Sequence, residues 1–372
     1  MAVRQKNLQE ILALHQQRYP LMEPADYGKL LYQNEFGPEH MISSPDAVRQ
    51  WLFEEWAETN RATADQAHHE KMPPATAEGA APIEEIGNHL YRFHLTDGYD
   101  LSIAAPLLAR LFFLTAHQHR GTLEGLKQKL TVLQEREKQS DFPSLEPWLS
   151  EYIHAGCPAL RHSEVFRQAY APHYRILRDE YAIYFPIIYQ IEKRLQHSDH
   201  ITIAIDGPCG SGKSSLAALL AELFSGRVLH MDDYYLPLQQ RLPGWEHTPC
   251  GNMDLSRLTQ EVLLPAARGE TISCRPYSCR QGQMLETRIL PGAPLTIVEG
   301  SYSHHPMLAA RHDLKIFLHC SRPEQLARLK QREGTGLSAY LQRWIPLEET
   351  YYRTFNIVSL CDLHFDNTPY CI

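Results

Sequence analysis

"ITIAIDGPCGSGKSSLAALLAELF", residues 201–224, joins three kinds of sequence in one short stretch. Ile201–Asp206 is β-branched and apolar, the pattern of a strand buried on both faces. Lys213–Phe224 carries Leu and Ala at helical spacing. Between them Gly207, Gly212, Lys213 and Ser214 fill the fixed positions of G-x-x-x-x-G-K-S. Glycines let backbone N–H groups turn inward without a Cβ in the way, and the helix that follows points its positive end at the same spot. A strand, this turn and a helix together predict a phosphate cradle built from Gly207, Gly210, Ser211, Gly212, Lys213, Ser214 and Ser215. Lys213 is expected to reach the β- and γ-phosphates of ATP, and the Ser214 hydroxyl to ligate Mg²⁺.

Downstream the chain alternates. "RVLHMDD" (227–233), "LTIVEG" (295–300), "LKIFLHC" (314–320) and "CDLHF" (361–365) read as strands, separated by helical runs such as "DLSRLTQEVLLPAARG" and "RPEQLARLKQRE". Such alternation predicts an α/β fold with a doubly wound, mainly parallel sheet. Ligands bind such sheets at the carboxyl ends of the strands, so the residues that follow each strand are the site candidates. Asp232 follows the second strand, where a carboxylate can orient a hydroxyl and accept its proton. Glu299 closes the third strand as a metal-holding acid, acting through water because it is Glu rather than Asp. Arg328 and Arg332 share a helix face at i and i+4 and are expected to close over a transferring phosphoryl group, with Arg343 a further candidate.

The residues before Ile201 read differently. Helices are expected over 7–17, 25–35, 45–60 and 105–138, with a second helical stretch over 164–196 broken near Pro172 and Pro186. "HLYRFHL" (89–95) alternates like a short strand, and "HHEKMPPATAEGAAP" (68–82) reads as a loop. A mainly helical N-terminal domain over 1–197 and a P-loop domain over 198–372 follow. Two polar stretches, "LYQNEFGPEHM" and "GCPALRHSEVFRQAYAPHYR", are expected to line a pocket where His40, Arg175 and a tyrosine recognise a ligand.

Composition narrows the classes. The chain has 372 residues, 43% hydrophobic and 22% charged, with a formal net charge of −8 and no basic cluster, which argues against a nucleic-acid partner. Its start is an amphipathic, charged helix rather than a signal peptide, and "LSIAAPLLARLFFLTA" is short for a membrane span. Eight scattered cysteines without C-x-x-C pairs fit reduced thiols in the cytoplasm. No N-K-x-D motif marks a GTPase.

"IAIDGPCGSGKSSLA", "HMDDYYLP", "IVEGSYS" and "LARLKQRE" together resemble the uridine kinase branch of the uridine kinase and phosphoribulokinase superfamily, over about residues 200–366. The resemblance implies a catalytic role for Asp232 and lid roles for Arg328 and Arg332. The acceptor region departs from that pattern: "GWEHTPCGNMDLSRL" keeps only part of the aromatic–Asp–His–Pro run, and "CRPYSC" keeps a Pro-Tyr. Tyr235, Trp245, His247 and Tyr277 are therefore the substrate candidates, with the acceptor open between a nucleoside and another hydroxyl-bearing metabolite. An ATP- and Mg²⁺-dependent small-molecule kinase, capable of homo-oligomerisation, is the first expectation. A nucleotide-binding regulator whose P-loop domain switches the N-terminal domain is the alternative.

Overall fold

The computed structural model describes residues 6–38, 45–66, 83–138 and 144–370. His40 lies outside them. The chain divides into two compact units, one up to Glu192 and one from Lys193 onward.

The first unit holds α1 (Leu8–Arg18), α2 (Pro24–Phe36), α3 (Pro45–Gln66), β1 (Ile83–Gly87), β2 (Leu90–His94), α4 (Leu101–Gln118), α5 (Leu123–Glu137), α6 (Glu146–His154), α7 (Glu164–Tyr170), β3 (Tyr174–Arg178), α8 (Asp179–Ile183) and α9 (Phe185–Leu195). The boundary between the units falls in the last turn of α9. The three strands form an antiparallel sheet in the order β1-β2-β3, with Tyr91 opposite Leu177 and Phe93 opposite Arg175. Ile11, Leu30, Leu31, Ile86, Leu126, Leu130, Phe166 and Ile176 form the centre of a core between sheet and helices.

Two expected helices are each interrupted. The run 105–138 is two helices, because the segment 119–122 folds back onto the end of α2. There Glu35 receives the Thr122 amide at 2.7 Å and the Lys129 ammonium at 2.6 Å, while Thr122 caps α5 through the Gly125 amide. Residues 164–196 contain β3. α7 ends on Ala171 in a left-handed conformation (φ 40°), Pro172 cannot continue it, and the β-rich "YRILR" pairs with β2 instead. Pro186 falls in the first turn of α9, where its missing N–H costs nothing.

Among the described residues one helix, α4, is long and apolar enough to cross a membrane. Its Ile103, Leu107, Leu108, Leu111 and Phe112 are buried in the first unit.

The second unit continues with β4 (Ile201–Asp206), α10 (Lys213–Leu223), β5 (Arg227–His230), α11 (Leu255–Leu258), α12 (Leu264–Ala266), β6 (Ile272–Cys274), β7 (Tyr277–Ser278), β8 (Gln283–Met284), β9 (Arg288–Leu290), β10 (Leu295–Glu299), α13 (Pro306–Ala309), β11 (Leu314–His319), α14 (Arg322–Glu333), α15 (Leu337–Ala339), α16 (Ile345–Thr354), α17 (Ile357–Leu360) and β12 (Leu363–Asp366). Five strands make one sheet in the order β12-β11-β4-β10-β5, every pair parallel. In order of appearance this is 5-4-1-3-2, so the chain leaves β4 in one direction and later returns on its other side. β4 is buried along its whole length, and the switch point above it is where ligands bind in such sheets. Two small antiparallel pairs, β6 with β9 and β7 with β8, fold between α12 and β10.

Candidate functional site

The turn after β4 has the geometry of a phosphate-binding loop. Gly207 sits at φ 143°, and a Cβ there would meet the Leu318 carbonyl oxygen at 2.1 Å. Gly212, at φ 100°, caps α10 and would strike the Asn367 amide at 2.7 Å if it carried a Cβ. That amide bonds the Ser211 carbonyl at 2.9 Å and pins the loop to the end of β12. Lys213 folds its ammonium back onto the Gly207 and Pro208 carbonyls at 2.8 and 3.0 Å.

The loop opens onto a cleft of about 560 Å³. Gly210, Gly212, Lys213, Ser214 and Ser215 line it, with Asp232, Tyr235, Glu299, Arg328 and Arg332. Of the loop residues expected at the phosphates, Gly207 and Ser211 shape the turn from behind and do not line the cleft.

Glu299 ends β10 beside the start of α10, since β4 and β10 run parallel and in register. The Ser214 hydroxyl donates to its Oε1 at 3.2 Å, and His230 Nδ1 stands 2.6 Å from the same oxygen. Burial works against the Glu299 charge. The His230 bond and the Lys213 ammonium outweigh it and hold the carboxyl below its ordinary range. The Glu299 bond in turn raises the His230 imidazole against its own burial. A serine hydroxyl beside an ionised carboxylate is a hard-oxygen donor set of the kind that Mg²⁺ takes, with water and phosphate oxygens completing its shell. Ser214 and Glu299 therefore fit that ion.

β5 runs directly into a tight 3₁₀ turn, Met231–Tyr234, which rotates its two aspartates apart. Asp232 faces the cleft and accepts the Tyr235 hydroxyl at 3.0 Å. Asp233 is tied to Arg288 at 3.1 Å and does not line the cleft; burial raises its carboxyl above the ordinary value in spite of that cation.

Arg328 reaches the cleft from α14, oriented by Glu324 at 2.9 Å and by the Asn367 and Tyr370 carbonyls at 3.0 and 2.7 Å. Arg332, one turn on, pairs with Glu333 and lies against the Tyr340 ring. Arg343 is exposed and outside the cleft lining. Three of the four substrate candidates are also outside it. Trp245 is buried beneath the Arg241 guanidinium, 4.5 Å from its ring centre; His247 is exposed; and Tyr277 is buried in the β7–β8 pair. Tyr235 alone faces the cleft, its ring 6.2 Å from that of Trp344.

The sequence did not point to Tyr340, Trp344 and Glu348, which border the same cleft from the segment after α14. Their signal is faint. Trp344 and Glu348 stand four apart in "WIPLEETYY", where the buried Ile345, Leu347 and Tyr351 mark the core face but nothing marks the side that borders the cleft. Asp206, fully buried at the end of β4, accepts the Gly207 and His304 amides and the Tyr351 hydroxyl, and burial lifts its carboxyl to about 6.

In the first unit Arg175 is buried against Glu55 at 2.5 Å and stacked on Trp51. Its neighbour Tyr174 joins a buried polar chain. Asp26 holds His162 Nδ1 at 2.8 Å, His162 Nε2 receives the Tyr174 hydroxyl at 2.7 Å, and Gln33 Nε2 donates to that hydroxyl at 3.1 Å. Gln33 Oε1 accepts two bonds from Arg92, whose Nη1 bonds Glu84 at 3.2 Å.

No family model matches the chain, and no curated protein does. Solved structures with a similar second half include a possible uridine kinase from Bacillus stearothermophilus, at 18% identity and TM-score 0.38, covering 49% of this chain and 100% of that one. A kinase provisionally assigned to a fructose transport system, from Silicibacter sp. TM1040, matches at 18% identity and TM-score 0.38, covering 48% of this chain and 98% of that one. Likenesses of this size leave the reading to rest on the geometry of the site.

Proposed function

We propose that the second unit is an ATP-dependent, Mg²⁺-assisted kinase that phosphorylates a hydroxyl of a small molecule, a nucleoside such as uridine or a related metabolite. The observation that supports it most is the meeting, in one cleft, of a phosphate-binding loop with a free-facing carboxylate, Asp232, and two arginines. A site built only to sense nucleotide has no use for a proton acceptor beside the phosphates.

In this reading Lys213 turns from the loop carbonyls to the β- and γ-phosphates, and the loop amides hold the polyphosphate. Bound Mg²⁺, held by Ser214 and Glu299, would neutralise charge on the phosphate oxygens. Asp232 orients the acceptor hydroxyl and takes its proton as the new O–P bond forms and the β–γ bridge breaks. Arg328 and Arg332 meet the charge that spreads over the transferring group. Tyr235 and Trp344 offer aromatic faces for the acceptor.

A screen for ADP release over nucleosides, sugars and sugar alcohols tests the proposal. The wild-type chain should respond to one class of acceptor, and Lys213→Ala should lower that turnover by at least a hundredfold while remaining folded. Turnover unchanged in Lys213→Ala would remove the loop from the chemistry.

A further inference from the structure

Glu348 is 6% exposed, yet its carboxylate borders the same cleft as Lys213 and Ser214. The Cys209 amide donates to both its oxygens, at 3.2 and 3.0 Å, and the Ser301 hydroxyl donates to Oε1 at 2.5 Å. Cys209 belongs to the phosphate-binding loop. An anion from α16 thus already sits on one of the loop amides. The Lys213 ammonium, on the Gly207 and Pro208 carbonyls next to Cys209, favours the Glu348 charge against burial. Ser301, which holds Glu348, lies two residues past Glu299, and Ser214, Asp232 and Glu348 line one cleft. Glu348 therefore stands among the groups proposed to serve the terminal phosphate rather than at the base.

We propose that Glu348 is a built-in competitor for the terminal phosphate, holding the Cys209 amide while the site is empty and yielding it when a nucleoside triphosphate binds. This rests on the nucleotide site proposed above and identifies the residue that makes that site distinguish tri- from diphosphate. One N–H cannot serve two anions, and a carboxylate facing a phosphate oxygen across it repels it. Burial raises the Glu348 carboxyl above its ordinary range despite Lys213 and its two donors, which suits a group that must surrender its charge or its place.

The experiment is calorimetric titration of the full chain with MgATP and with MgADP, no acceptor present, for wild type, Glu348→Gln and Glu348→Ala. Glu348→Gln keeps the shape and loses the charge. It should bind ATP at least fivefold more tightly than wild type, with ADP affinity changed less than twofold. Glu348→Ala, which also vacates the amide, should show the same selective gain, and melting curves establish that both variants are folded. If ATP and ADP affinities move by the same factor, or ATP binding weakens, Glu348 is a strut for the loop and the proposal fails while the nucleotide site stands. If the wild-type chain binds neither nucleotide, both fail together.

Discussion

Asp232 and Asp233 are adjacent and chemically identical, and only their surroundings distinguish them. The 3₁₀ turn directs Asp232 into the cleft and Asp233 toward Arg288. Asp232→Asn should therefore reduce kcat by about 10²–10⁴, the range for loss of a general base, and leave the ATP dissociation constant close to wild type. Asp233→Asn should spare kcat. Steady-state kinetics and nucleotide titration of the two variants check this, and the reverse ranking would move the proton acceptor one position along. Sequence alone marked Asp232, because an acid after a strand in an α/β sheet has few other uses. It could not exclude Trp245, His247 or Tyr277 from the cleft. An aromatic or imidazole side chain in a loop carries no periodicity, and its direction depends on local packing with partners such as Arg241 and Met284 that no spacing rule singles out.

At the scale of elements, the parallel strands were legible because burial on both faces writes a continuous apolar run. Every residue of β4 and β10 is buried. The elements of the first unit were less so. β3 carries "YRILR", whose alternation over five residues is too short to compete with the helical pattern around it, and its identity comes from pairing with β2. The break after α4 is likewise tertiary: Glu35, eighty-seven residues upstream, supplies the acceptor that lets Thr122 start a new helix. Glu35→Ala leaves the Thr122 amide without its acceptor and Lys129 without its counter-ion, and should destabilise the first unit by about 1–3 kcal/mol. Urea unfolding followed by fluorescence measures it; an unchanged midpoint would mean that the turn holds itself.

Across the whole molecule, buried histidines make stability depend on pH. His15 and His162 in the first unit and His304 in the second are held neutral by burial down to about 4, and His312 down to about 3. Their unfolded value is near 6.5. Above that value neither state is protonated and these groups contribute no slope. As pH falls below it the unfolded chain takes up protons that the folded chain refuses, so stability declines until the folded values are reached. Each such histidine contributes about 1.4 kcal/mol per pH unit within its window. His230, raised by Glu299, opposes the trend, since its stabilisation is present at low pH and lost on going up through its folded value. Melting temperatures should fall steadily between pH 6.5 and 5 and be nearly level from 7 to 8. A flat profile from 8 to 5 would contradict this.

The proposed phosphoryl transfer is the claim to test first. Phosphorus-31 NMR of the full chain with MgATP and the acceptor that scores in the ADP-release screen reads the outcome directly. A new phosphomonoester resonance, rising as the γ-phosphate signal falls and absent with Asp232→Asn over the same time, is the result expected. Inorganic phosphate as the sole new species, or no change in the ATP signals with any acceptor, would contradict it.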